Sequence, residues 1–313
     1  MSIKTQANLP RVSVITPSMN QGEFLEDTIL SVIGQDYPRL EYMVIDGGSQ
    51  DSSVEILKKY SDRLNYWVSE PDRGQAHAIN KGLIRSTGEY IGWINSDDTL
   101  TPGAINRIVD FLNSNPDVSL AYGSIYHIDQ SGKRIGKAQP PPGTPAFSAQ
   151  TMIGDRIIIQ PGSFWRRTMM ENVGLLNERY HHVFDYEFWI RIILSNGCFA
   201  QISGEPLANF RLSPASKSVS NIQKSGQEEL SILNSLLVDP RLSFLNIPPR
   251  QLKRQTNKAF AEAYLKIYKG LSHEPSEYAI AWKYLFSAIR VYPIFILTRF
   301  PLILSVIRHQ IHL

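Results

Sequence analysis

Apolar positions in the first third of the chain follow two alternating rhythms. "RVSVITP" (Arg11 to Pro17) has the length and composition of a buried strand. After it, Phe24, Leu25, Thr28, Ile29, Val32 and Ile33 recur at helical spacing. "LEYMVID" (Leu40 to Asp46) predicts a second strand. The "GGSQDSS" that follows offers Asp51 or Ser52 as the cap of a helix carrying Val54, Leu57 and Tyr60. "LNYWVSE" predicts a third strand, "AHAINKGLIRS" a helix and "EYIGWIN" a fourth strand. Strands and helices alternating across short connections predict an α/β layer around a mostly parallel sheet.

Beyond Pro102 the pattern predicts a helix to Asn113 and one further strand over "VSLAYGSIYHID". "AQPPPGTPAF" (Ala138 to Phe147) is a loop, because its prolines lack backbone donors and fix φ. "DRIIIQPGSFWRR" resumes an extended pattern, "FDYEFWIRIILSNG" is a helix, and "CFAQISG" and "PLANFRL" are short strands. From Asn221 the chain reads as helical, and no internal repeat is visible. The expected organisation is an α/β domain over residues 1–220 and a helical region over residues 221–313.

Composition changes this picture in three places. A net charge of +3, with no basic run interleaved with aromatics, argues against nucleic acid as a partner. A single cysteine, Cys198, excludes an internal disulfide and fits a reducing compartment, and "MSIKTQANLPRVSV" lacks the apolar core of a signal peptide. The expected location is therefore cytoplasmic. From Tyr278 onward the chain is rich in bulky apolar residues, its charges are Lys283, Arg290, Arg299 and Arg308, and it holds no acid. Pro293, Arg299 and Pro301 interrupt the run of about 20 apolar residues that a spanning helix needs. Residues 278–313 instead suit either peripheral contact with an anionic membrane or packing on their own domain.

Candidate chemistry gathers where the strands end. Ser18 and Asn20, Asp46 to Asp51, Glu70 to Gly74, and Asn95 to Asp98 are polar clusters of one kind. In open α/β sheets the carboxyl ends of the strands are where ligands bind. Neither G-x-G-x-x-G after the first strand nor G-x-x-x-x-G-K-[ST] is present, so this is not a standard dinucleotide or P-loop site. Asp46 offers acceptors to a nucleobase N–H or a ribose hydroxyl, and Gly47 and Gly48 let a backbone come close. Arg73, Lys81 and a helix N-terminus suit phosphate. Asp97 and Asp98 then make sense as ligands of Mg²⁺ or Mn²⁺ bridging a diphosphate.

"VSVITPSMNQGEFLEDTILSVIGQDYPRLEYMVIDGGSQDSS", "SEPDRGQAHAINKGL" and "WINSDD" together resemble the family 2 glycosyltransferases, over roughly residues 10–215. The resemblance implies the GT-A fold, a Rossmann-related mixed and mostly parallel sheet flanked by helices, here with a C-terminal helical extension. It implies an inverting transfer of sugar from a nucleotide-diphosphate donor to a glycan acceptor, aided by a divalent cation, and the tail with the cytoplasmic address adds a lipid-linked acceptor as the alternative. The role implied is in cell-surface polysaccharide synthesis at the inner face of the plasma membrane. The motif positions imply a donor set of Pro17, Ser18, Asn20, Asp46, Gly48, Ser49, Arg73, Asn80, Lys81, Asn95 and Asp97. Asp98 and Asp97 fall on the metal motif, and Asp185 of "FDYEFWIR" on the catalytic base, with Glu187 its rival. Gln160, Trp165, Glu187 and Arg211 are implied on the acceptor side.

One position departs from the family pattern: "FRLSPASKS" keeps Arg211 and Lys217 but has Ser213 where His is usual, which puts one ligand of the diphosphate or metal in doubt. Two other functions compete. A nucleotidyltransferase needs a basic Gly-rich loop after the first strand, which "TPSMNQGEF" is not. A non-catalytic binding relative has no need to keep Asp46, Asp97, Asp98 and Asp185 together.

Overall fold

The computed structural model describes residues 9–139, 151, 153, 158, 160–212, 221–272 and 275–294. The contacts divide the chain into two units, one drawn from residues 1–147 and 157–212 and the other from 148–156 and 213–313.

The first unit is built on a seven-stranded sheet. Its centre is β1 (Val12–Ser18), buried at every position, with β2 (Leu40–Asp46) and β4 (Tyr90–Trp93) parallel to it on either side. A strand covered on both faces needs a continuous apolar run rather than alternation, and that is why these segments are legible in the sequence. β3 (Tyr66–Ser69) extends the parallel set beyond β2. On the other side β9 (Ser163–Arg166) runs antiparallel to both β4 and β6 (Leu120–Gly123), and β10 (Phe199–Ile202) pairs parallel with β6. Helices α1 (Leu25–Ile33), α2 (Ser53–Lys59), α3 (Gln75–Arg85) and α4 (Ala104–Ser114) connect the strands. α1 buries Leu25, Thr28, Ile29 and Val32, the stripe its spacing predicts. Of the two caps offered to α2, Asp51 acts: its Oδ1 accepts from the Ser53 N–H at 3.0 Å, and its Oδ2 from the Gly22 N–H at 2.8 Å.

The segment "VSLAYGSIYHID" does not form one strand. It breaks after Gly123, and β7 (Ile125–Ile128) joins a second sheet, in the order β5 (Thr99–Leu100), β11 (Ala208–Arg211), β7, β8 (Arg134–Gln139). Leu207 packs at the break. A Cβ at Gly123 would lie 2.5 Å from the Leu207 side chain, and the Ser124 carbonyl accepts from the Leu207 N–H at 2.8 Å. A run of β-favouring residues carries no mark of which sheet each half joins.

"QPGSFWRR" begins as a 3₁₀ turn over Gln160–Gly162, continues as β9 and turns at Arg167 into α5 (Arg167–Val173). α6 (Phe184–Leu194) buries Phe188, Trp189, Ile192 and Ile193. Trp93, Trp165 and Trp189 meet in a block with Phe184 and Phe188, with ring centroids 5.3 to 6.1 Å apart. Trp93 stacks on Trp189 at 5.8 Å with 12° between planes, while Trp165 meets both edge-on. This block fixes the first turn of α6 against the end of β4.

The second unit, as far as it is described, contains α7 (Ile222–Leu237), α8 (Pro249–Leu271) and α9 (Tyr278–Val291). Ala261, Leu265, Tyr268, Ala281, Leu285 and Ala288 form its core. No helix among the described residues is long and apolar enough to cross a membrane. The loop from residue 140 to Phe147, Ser213, Lys217, Arg299, Pro301 and Arg308 lie outside the described residues.

Candidate functional site

The strand register brings the donor-side residues into line. Ser18 pairs with Asp46 and Asp46 with Ser69, so the last residues of β1, β2 and β3 form one row at the carboxyl edge. Asp46 is fully buried and organises the turn after it. Its Oδ2 accepts from Gly48 N (3.1 Å), Ser49 N (2.8 Å) and Ser69 Oγ (2.7 Å), and its Oδ1 from Ser49 Oγ (2.5 Å). Gly48 has φ +86°, a conformation that favours glycine. Asn20 crosses from the loop after β1: its N–H donates to Ser49 Oγ at 2.7 Å and its Oδ1 accepts from Gln50 N at 2.9 Å. Pro17 is buried in β1. Ser18 Oγ is buried without a hydrogen-bond partner beside Asp46. An unsatisfied buried hydroxyl costs roughly 1–3 kcal/mol.

The SDD turn meets this row from β4. Gln75, the first residue of α3, donates from Nε2 to Asn95 Oδ1 at 2.7 Å, and Asn95 Nδ2 donates to Asp98 Oδ2 at 3.1 Å. The two carboxylates differ sharply. Asp97 is half-buried, whereas Asp98 is fully buried, with Oδ1 accepting from the Arg211 N–H at 2.9 Å. Burial pushes the Asp98 carboxyl well above the usual carboxylate range, and the Asp97 charge adds to the shift. Each Asp98 oxygen therefore has one partner within the protein, Asn95 Nδ2 on Oδ2 and the Arg211 N–H on Oδ1.

Arg211 belongs to the same network and not to an acceptor surface. It is 2 % exposed, its Nε donates to the Asp97 carbonyl at 2.8 Å, and its Nη1 donates to the Gln130 carbonyl at 2.7 Å and the Asp129 carbonyl at 3.1 Å. Its guanidinium also lies 4.5 Å from the centre of the Phe24 ring. Trp165 is likewise removed from the acceptor side, being fully buried in the aromatic block. Gln160 donates from Nε2 to the Trp93 carbonyl at 2.6 Å, while its Oε1 is buried without a partner. Glu187 pairs with Arg191 one turn along α6, at 2.9 Å, so its carboxylate is committed to the helix.

Three donor-side residues also have protein partners. Lys81 pairs with Glu70 at 2.8 Å, and Arg73 with Glu178 at 2.6 Å. Asn80 is buried and uses both ends of its amide: Oδ1 accepts from Leu176 N, and Nδ2 donates to the Leu176 carbonyl and to Glu178 Oε1, at 3.0, 3.0 and 3.1 Å. Asn80 is thus a clasp within the protein and not a donor contact.

Asp185 lies in the first turn of α6, beside Phe184, whose ring is 6.1 Å from that of Trp93. It is half-buried, and its Oδ1 accepts from the Tyr186 N–H at 2.8 Å. Carboxylates in a first turn complement the helix dipole. His181 reaches α3, with its Nδ1 3.3 Å from where a Cβ on Gly74 would stand. Gln75, Thr28 and Glu178 escaped the sequence reading. Thr28 donates to the Asp98 carbonyl at 2.7 Å from a helix position that looks merely apolar, and nothing in "LNERY" sets Glu178 apart.

Among the described residues no three His, Cys, Asp or Glu side chains are grouped to hold a metal by themselves. The residues present fit a different arrangement, in which Mg²⁺ or Mn²⁺ takes one or two carboxylates and completes its shell with substrate phosphates and water.

A mostly parallel sheet with an antiparallel insertion, flanked by helices, is an architecture of the GT-A type. The description "Glycosyl transferase family 2" matches residues 13–174, just over half of the chain, and the chain belongs to that family. It is similar to an uncharacterized glycosyltransferase of Mycobacterium tuberculosis, 30 % identical over 187 residues, covering 59 % of this chain and 70 % of that protein. It is also similar to the putative teichuronic acid biosynthesis glycosyltransferase TuaG of Bacillus subtilis, 36 % identical over 106 residues, or 33 % of this chain and 42 % of TuaG. Such matches span between 31 and 70 % of the length of the curated relatives. In three dimensions the chain resembles S. aureus TarS 1–349 in complex with UDP-GlcNAc. That match has a TM-score of 0.67 at 16 % identity, over 96 % of this chain and 88 % of that one.

Proposed function

We propose that this chain is an inverting glycosyltransferase that moves a sugar from a nucleotide-diphosphate donor to a glycan or lipid-linked acceptor in cell-surface polysaccharide synthesis. The observation that carries this reading is the Ser18–Asp46–Ser69 row at the carboxyl edge of one sheet, beside a turn whose Asn95 is tied to the start of α3, while the helix that carries Asp185 packs Phe184 on Trp93 at the end of β4. The orphaned Ser18 hydroxyl and the turn held by Asp46 receive the nucleoside. Asp97, at the mouth of the turn, is the carboxylate for the cation. When bound, the cation neutralises charge on the departing diphosphate.

Asp185 acts as the general base. It takes the proton from the acceptor hydroxyl as that oxygen bonds to the anomeric carbon, and the bond from that carbon to the diphosphate oxygen breaks with its electron pair. The nucleoside diphosphate leaves and no covalent enzyme intermediate forms. In this reading residues 1–220 are the catalytic domain and residues 221–313 a helical region. TuaG's name, and TarS being solved with UDP-GlcNAc, support a polysaccharide role and a nucleotide-sugar donor.

The test is a thermal-shift screen of nucleotide sugars with and without Mn²⁺. A donor that binds the native state raises the melting temperature, by an amount that grows with its concentration over Kd. We expect a shift from one nucleotide class, enlarged by Mn²⁺. No shift from any nucleotide sugar would overturn the donor site, and donor binding without turnover across acceptors would favour a non-catalytic relative.

The same reading places the enzyme in the cytoplasm, at the inner face of the plasma membrane, through residues 278–313. α9 and the residues just after it support it: Ile280, Phe286 and Ile294 are 44, 62 and 72 % exposed, and Lys283 and Arg290 are exposed as well. Apolar side chains beside cations, with no acid after Glu277, suit an anionic bilayer surface. The full chain is expected to co-sediment with phosphatidylglycerol vesicles and to be released by salt, and Lys283→Glu with Arg290→Glu should abolish sedimentation. Equal partitioning of the variant would refute the membrane contact.

A further inference from the structure

The stretch between α5 and α6 is held from two sides. On the α3 side, the buried Asn80 clasps the backbone of Leu176, and Asn80 and Arg73 both bond to Glu178. On the α6 side, Arg191 donates to the carbonyls of Val173 and Leu175, while its Nε rests on Glu187. Residues 173–178 therefore tie the start of α3, next to the SDD turn, to the helix whose first turn carries Asp185.

Within this tie the Glu178 carboxylate is divided. Oε1 takes the Asn80 amide at 3.1 Å, and Oε2 takes Nε and Nη2 of Arg73 at 3.1 and 2.6 Å. Arg73 is 69 % exposed and immediately precedes Gly74 and α3, and it is a guanidinium whose type and place at a strand end suit the donor's diphosphate. An exposed ion pair is worth little by itself. A diphosphate is a stronger partner for a guanidinium than one carboxylate, because it offers more charge and bidentate oxygens.

We propose that Glu178 is a positioning residue that links donor occupancy to the helix of the general base. It holds Arg73 until a diphosphate competes for the guanidinium, and its carboxylate then keeps only the Asn80 bond beside the Leu176 clasp. Burial raises the proton affinity of Glu178, but the bonds from Asn80 and Arg73 outweigh it and hold the carboxyl below its ordinary value, so it is charged and competes with phosphate. The inference rests on the donor site proposed above.

The test is calorimetric titration of the full-length protein with UDP and with GDP, in the presence and absence of Mn²⁺. Glu178→Gln keeps the size and the acceptor for Asn80 but removes the charge that competes for Arg73. We expect the dissociation constant of the bound nucleotide to fall about three- to tenfold while kcat falls and the acceptor KM rises. In an Arg73→Gln background, Glu178→Gln should leave nucleotide affinity unchanged. A purely structural Glu178 would lower the melting temperature and leave nucleotide affinity alone. Equal or weaker nucleotide binding in Glu178→Gln overturns the coupling and leaves the donor site standing. Failure of the wild type to bind either nucleotide overturns the donor site and this inference with it.

Discussion

Asp185→Asn is expected to lower kcat by about 10²–10⁴-fold, the usual contribution of a general base. The affinity for the nucleotide sugar should be unchanged. The substitution is mild for the fold, because an asparagine oxygen still accepts the Tyr186 N–H that Asp185 Oδ1 now accepts. It removes only the ability to take a proton. Steady-state kinetics with calorimetric donor binding separates the two quantities. Loss of donor binding with turnover per bound donor intact would show that Asp185 is misassigned. Glu187→Gln is the control. That carboxylate is paired with Arg191 at 2.9 Å, so its replacement should reduce stability more than turnover.

The second large effect separates neighbours. Asp97→Asn is expected to remove the Mn²⁺ dependence of donor binding and to cut kcat/KM by about 10²–10³-fold, the scale of losing one electrostatic stabiliser. Asp98→Asn should act mainly on folding. The oxygen of the substituted side chain can accept the Arg211 N–H, but its NH₂ group then meets the Asn95 amide donor on the other side. An unmade buried bond of this kind costs about 1–3 kcal/mol. Thermal denaturation should therefore show the larger loss for Asp98→Asn, and Mn²⁺-dependent donor binding the larger loss for Asp97→Asn. The reverse order would make Asp98 the cation ligand.

Legibility in the sequence followed burial. β1, β2, α1 and α3 stand close to where the apolar pattern predicts them, because central elements of a covered sheet must be apolar on defined faces. The polar clusters at the strand ends were legible for a related reason, since nothing in packing calls for them. Where the chain changes sheets, the pattern failed. Gly123 and Ser124 look like the middle of a strand, and the Leu207 side chain and N–H that pack at the break lie far along the chain.

By itself the sequence determined the family, the sheet and the collection of carboxylates, amides and arginines that a nucleotide-sugar site needs. Only the tertiary structure decided which of them are satisfied by partners inside the protein. Asp97 and Asp98 are indistinguishable in "NSDD", and what separates them is the Arg211 N–H, 113 residues away. Arg211, Asn80 and Trp165 read as site residues because their types suit phosphate, ribose or sugar. Each is instead satisfied by partners from distant segments: the carbonyls of Asp97 and Gln130, the backbone of Leu176, and the rings of Trp93 and Trp189. A polar or aromatic side chain goes where its hydrogen bonds and contacts are best met. For a residue at a strand end those partners are set by long-range packing, which one-dimensional order does not encode locally.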